Sequence, residues 1–71
     1  MTTITIRTEY IKLQDLLKFA NLVETGGEAK ELVQGGGIMV DGEICTMRGK
    51  KIRPEHVVLF EGKEFNVAYA D

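Results

Sequence analysis

The run RGKKIRP at positions 48 to 54 sets Arg48, Lys50, Lys51 and Arg53 side by side with no acid among them. Elsewhere the balance is the reverse: the chain is formally at −2, with 9 basic residues against 11 acids. The stretch from Ile44 to Pro54 therefore stands at +4 while the other sixty residues stand at −6. At physiological ionic strength charges are screened beyond about 8 Å, so distant acids do little to cancel a tight local cluster. A polyanion meeting this surface would feel the patch rather than the sum. Lysine and arginine held near a phosphate backbone release condensed counterions, which gives affinity without regard to base sequence. Gly49 lets such a loop bend and lets a backbone approach closely. The overall charge is unlike the strongly basic footprint of most nucleic-acid-binding domains. On charge alone, a solvated loop explains the run equally well.

Catalytic chemistry finds little to work with. Cys45 is the only thiol and His56 the only histidine. A nucleophile pair would need an orienting third group and a nucleophile-bearing turn, and neither is evident. The plainer reading makes Cys45 a small buried hydrophobe on a strand and His56 a turn residue. Zinc would need three or four ligands at set spacings, and the glycines lack the Gly-x-x-x-x-Gly-Lys-Ser/Thr order of a phosphate loop. No cofactor and no metal are expected.

The elements that must position the basic run can be read from periodicity. Thr3-Ile4-Thr5-Ile6 alternates like a half-buried strand. Leu13, Leu16, Leu17, Ala20 and Val23 then fall on one stripe of a helix of about ten residues. Thr25 and Glu28 stand in capping-box spacing, Ala29, Leu32 and Val33 form a short buried face, and Gly35 to Gly37 end a second helix over about 26–34. Asp41-Gly42 between two apolar runs predicts a hairpin. Pro54 opens a turn, and Gly62 sits in the loop of a second hairpin whose returning strand buries Phe65, Val67 and Tyr69. Phe60, Phe65 and Tyr69 are assigned to the core. A strand, two helices and several short strands make an α+β domain: two short helices packed on a small, bent, mainly antiparallel sheet. Residues 1–71 make one domain with a small core. The N-terminus lacks the pattern of a signal peptide and no run is long enough to span a membrane, so a reducing cytoplasm is the expected compartment.

The ordered landmarks resemble the S4-like RNA-binding domain, in its small stand-alone bacterial form of the YaaA/YbcJ type. They are Lys12-Leu13 at the start of the first helix, Thr25, Ala29-Lys30, Gly35, Val40-Asp41-Gly42, the basic positions Arg48 to Lys51, and the strand Val57 to Phe60. The resemblance covers about fifty of the 71 residues. It implies an L-shaped RNA-facing surface, the alpha-L motif, built from the second helix and a loop between strands. It also implies RNA contacts at Lys12, Lys30, Arg48, Lys50 and Lys51, and Gly49 joins that site as the residue that shapes the loop. Arg53 ranks lower, because Glu55 could neutralise it. Lys30 shares a side of its helix with Gly27 and Gln34, away from the apolar face. Where larger members carry an arginine just after the helix cap, this chain has Gly26, and where an acid often sits it has His56.

The function so implied is a non-catalytic RNA-binding module. It would contact phosphates of structured RNA, ribosomal or transfer, through the basic loop and the second helix, as a monomer that could sit on the ribosome and needs no membrane. No aromatic run offers a stacking platform, so shape and phosphates rather than bases are the expected features recognised. A ribose hydroxyl donating a hydrogen bond to the Asp41 carboxylate is a further option. A protein–protein adaptor associated with the ribosome or another RNA–protein complex is the rival, and would use the acidic remainder of the surface. A sulfur carrier would need a terminal Gly-Gly where this sequence reads AYAD. A thiol enzyme built on Cys45 is the remaining enzymatic alternative.

Overall fold

A computed structural model describes residues 1–70. The elements run β1 (Thr2–Ile6), β2 (Ile11–Lys12), α1 (Leu13–Phe19), α2 (Gly26–Gln34), β3 (Met39–Val40), β4 (Glu43–Ile44), β5 (Lys51–Ile52), β6 (Val58–Phe60) and β7 (Lys63–Tyr69). Five strands form one sheet in the order β1-β7-β6-β3-β4, and β2 pairs with β5 in a separate two-stranded ladder. Every pairing is antiparallel except β1 with β7, which run parallel from Thr2↔Phe65 to Ile6↔Tyr69. This is the expected α+β arrangement of two helices on a mainly antiparallel sheet.

The first helix is shorter than its apolar stripe suggests, spanning 7 residues and closing at Ala20. Asn21 takes φ 60°. Its N–H donates to the Lys18 carbonyl at 3.0 Å, and the Leu22 N–H to the Leu17 carbonyl at 3.0 Å. Those two bonds satisfy orphan carbonyls in a left-handed C-terminal cap, with asparagine in the place more often held by glycine. Val23 is buried as the stripe requires, but from the chain beyond the helix.

The second helix matches its sequence signature. The Thr25 hydroxyl accepts from the Glu28 N–H at 3.2 Å. At the other end Gly36 takes φ 82°, and the Gly37 N–H reaches back to the Leu32 carbonyl at 3.1 Å.

Both hairpins turn on two left-handed residues. These are Asp41 and Gly42 at φ 53° and 85°, then Glu61 and Gly62 at 49° and 78°. That geometry matches the right-handed twist of the flanking strands. Pro54 opens a turn closed by the His56 N–H to the Arg53 carbonyl at 2.9 Å.

Among the described residues fourteen buried apolar side chains form one cluster, with Leu13, Leu16, Leu17, Val33, Ile38, Ile52, Val58 and Val67 almost wholly enclosed. Two assignments need correction. Tyr69 is 52% exposed, and its hydroxyl donates to the Glu9 carbonyl at 2.7 Å instead of filling the core. Cys45 lies one residue past β4 and is only half-buried, with Sγ 3.7 Å from the Met47 carbonyl oxygen. Phe65 is buried and Phe60 packs half-buried on the cluster. Among the described residues no helix is long and apolar enough to cross a membrane.

Candidate nucleic-acid interface

The first turn of a helix leaves backbone N–H groups without partners, and a side chain usually caps them. Lys12, at the cap of α1, makes no side-chain cap bond. The basic loop does the work through its backbone. The Leu13 N–H donates to the Lys50 carbonyl and the Gln14 N–H to the Arg48 carbonyl, both at 2.9 Å. The carbonyls face the helix, and the two cationic residues are tethered at its start.

The β2–β5 ladder then fixes the next pair. Ile11 sits opposite Ile52 and Lys12 opposite Lys51. The two isoleucines are buried and the two lysines are exposed. Like charges directly across a ladder are unfavourable by up to about 1 kcal/mol. The fold therefore keeps two ammonium groups on one face at some expense of stability. Lys51 also stands over the ring of Tyr10 at 5.0 Å from its centroid, and the Arg53 guanidinium at 5.4 Å. Cations are drawn to the negative face of an aromatic ring, at about 0.5–1 kcal/mol for exposed sites.

Arg53 therefore leans on Tyr10, not on Glu55 as its position in the sequence suggested. The carboxylate of Glu55 lies 3.9 Å from Nε2 of His56 instead. Among the described residues, none of Lys12, Lys30, Arg48, Lys50, Lys51 and Arg53 forms a salt bridge.

Gly49 is not needed for the bend. It stays out of the left-handed region, and a Cβ there would meet nothing within 4 Å. The turn is closed by the Lys50 N–H to the Met47 carbonyl at 3.1 Å. Lys30 stands exposed on α2, and shares no strand, turn or ring contact with the rest.

Asp41 anchors the neighbouring hairpin to the 53–56 turn. One carboxylate oxygen accepts the Val57 N–H at 2.9 Å, and the other lies 2.7 Å from Nδ1 of His56. Both oxygens are thus engaged within the chain, which makes Asp41 a structural clamp between the hairpin and the turn. His56 and then the Val57 N–H hold its pKa below the ordinary 3.8, with Lys50 adding a smaller pull. A lowered carboxylate pKa adds stability above the unfolded-state value, and that stability fades as pH falls through the folded value.

Asp41→Asn keeps a residue that tolerates positive φ and removes the charge. Thermal melts should show it less stable than the native chain at neutral pH by less than about 1 kcal/mol, as for an exposed pair. The gap should close once pH falls well below 3.8. A gap that persists unchanged in acid would deny the clamp its charge. Among the described residues no group of three or more His, Cys, Asp or Glu side chains is placed to hold a metal.

This architecture can be set beside known proteins. The S4 domain family matches residues 4–68. The chain belongs to that family. It is 37% identical over 59 residues to the "Probable ribosome maturation protein RlbA" of Bacillus subtilis (strain 168), covering 83% of each chain. Its fold is similar to the solution structure of YbcJ from E. coli at TM-score 0.69 and 32% identity. That match covers 96% of this chain and 87% of YbcJ. The YbcJ structure is described as revealing an "alfaL motif involved in RNA-binding".

Two residues of this S4 domain beside the cations escaped the sequence reading. Tyr10 immediately precedes β2, and nothing in its neighbourhood marks it as a platform for side chains forty residues away. Phe19 carried a signal. It falls off the Leu13/Leu16/Leu17/Ala20 stripe, so a helical wheel puts it in solvent, and it is 67% exposed.

Proposed function

We propose that this S4 domain is a non-catalytic module that grips phosphates of structured RNA. The observation that carries the reading is the convergence at the start of α1. There Arg48 and Lys50 are pinned by their carbonyls, Lys12 faces Lys51 across a ladder, and Lys51 and Arg53 share the Tyr10 ring. An unfavourable like-charge pair retained on an exposed face makes sense when a polyanion binds it. Gly49 leaves open space for a backbone to approach, and Lys30 adds a cation from α2.

Ribosomal RNA is the first candidate, because the RlbA relative is named for ribosome maturation; transfer RNA is the second. The module acts as a single monomeric domain in the cytoplasm. His56 and Asp41 bond to each other, Asp41 also to the Val57 N–H, and Cys45 packs on the edge of the core with its thiol on a carbonyl, which suits structural roles.

Titration of a structured ribosomal RNA fragment against the protein at rising salt tests the reading. With three to five phosphate contacts, log K should fall against log salt with a slope of roughly −2 to −4.5. Crosslinking in cells, followed by sequencing of the attached RNA, names the target. Association that ignores salt and survives ribonuclease would point to the adaptor reading.

A further inference from the structure

Next to the cation cluster lies an open groove of about 1000 Å³ between the end of β1, the β1–β2 loop and the outer side of α1. The buried core residues Ile6 and Ile11 reach its apolar floor. Phe19 forms one wall, with most of its ring in water. Arg7 and Lys12 stand on the rim as cations outside any salt bridge among the described residues. The one acid of the lining, Asp15, is paired with Lys18 at 3.3 Å, so the free charge at the groove is positive. Two residues belong to both places. Tyr10 lines the groove and carries Lys51 and Arg53 on its ring, and Lys12 lines it while facing Lys51 across the ladder.

We propose that this groove seats an unpaired base of the RNA whose neighbouring phosphates lie on the basic loop, with Phe19 as the stacking surface. The inference rests on the phosphate-binding reading above. An aromatic ring beside unpaired cations suits a nucleotide, whose flat apolar base and charged phosphate are joined in one unit. Stacking tolerates any base, since each has a π-face. The seat therefore adds a preference for unpaired over paired RNA without reading sequence. An apolar protein segment would use the floor and Phe19 but would gain nothing from Arg7 and Lys12.

The test compares an RNA hairpin bearing a short unpaired tail with the same hairpin cut blunt, by fluorescence anisotropy at fixed salt. The native chain should bind the tailed hairpin about tenfold more tightly, the scale of one base–aromatic stack. Phe19→Ala removes an exposed ring and should leave the melting temperature in place. It should erase the tail's advantage and leave blunt-hairpin affinity alone, while Phe19→Trp should keep the advantage.

Equal native affinity for the two RNAs would overturn the seat and leave the phosphate reading standing. So would a Phe19→Ala loss that is the same on both. Binding of neither RNA would remove both proposals. A native chain that self-associates through Phe19, with RNA binding indifferent to its removal, would make the groove a protein interface and also overturn the seat.

Discussion

Lys50→Glu combined with Lys51→Glu should strip this domain of RNA binding while its far-UV spectrum and melting profile stay close to native. Losing two phosphate contacts removes roughly 1.5 to 2 units from the salt slope. At physiological salt that loss alone amounts to about 20-fold in affinity, and repulsion by two new carboxylates should carry the total beyond about 100-fold.

The fold should survive for structural reasons. Lys50 contributes its carbonyl to the start of α1, and that carbonyl remains whatever side chain the residue carries. Lys51 gives up its place over Tyr10, worth about 0.5–1 kcal/mol, and relief of the Lys12↔Lys51 repulsion offsets part of that. A glutamate at 50 also sits near Asp41, whose pKa should rise toward its ordinary value once the lysine is gone. These effects are small against the roughly 4–11 kcal/mol expected of a 71-residue domain.

Lys63→Glu, in the exposed β6–β7 hairpin, is the control for net charge. Per charge changed, it should weaken binding far less. If it weakens binding as much, the overall charge governs and the patch does not. If the double variant binds RNA as the native chain does, the interface lies elsewhere.

The parts of this site that were legible in the sequence share one property: a local stretch of chain fixes them. Thr25 with Glu28 announced α2, Asp41-Gly42 announced a hairpin with both turn residues at positive φ, and the charge run announced itself. What was not legible depends on chain segments meeting across long separations. The parallel pairing of β1 with β7 joins the two ends of the domain, and it leaves no periodic trace beyond that of any strand. The β2–β5 ladder is two residues long on each side, too short to announce a partner. Without it Lys12 is merely a residue before a helix; with it Lys12 faces Lys51.

Arg53 shows the same limit. Sequence proximity offered Glu55, but the turn opened by Pro54 brings Glu55 toward His56 and leaves the guanidinium to a ring on a distant loop. The length of α1 was misjudged for another reason. Burial kept its period through Val23 although the helix had ended at a left-handed asparagine, because the chain after the cap still packs on the same core.

Ile52→Ala should be the most damaging single truncation at the site, although it touches no cation. Ile52 is fully enclosed, sits opposite Ile11, and lies between Lys51 on the same strand and Arg53 just past its end. Isoleucine to alanine in a packed core costs about 2–5 kcal/mol from lost transfer energy and the cavity left behind. In a domain of this size each kcal/mol moves the midpoint by about 4–8 °C, so the melt should fall by roughly 8–40 °C. Ile44→Ala makes the same chemical change at a side chain 64% exposed and should move the melt by no more than a few degrees.

The functional consequence follows from the ladder. β5 is only two residues long, and Ile52 is its sole buried anchor. Loosening it frees Lys51 and Arg53 from their positions over Tyr10 and Lys51 from its place opposite Lys12, with the charge unchanged. RNA affinity measured well below the new melting point should therefore drop, because ordering the cations must then be achieved on binding. Phosphate affinity that stays native in a folded Ile52→Ala protein would show that the charges suffice without the scaffold beneath them.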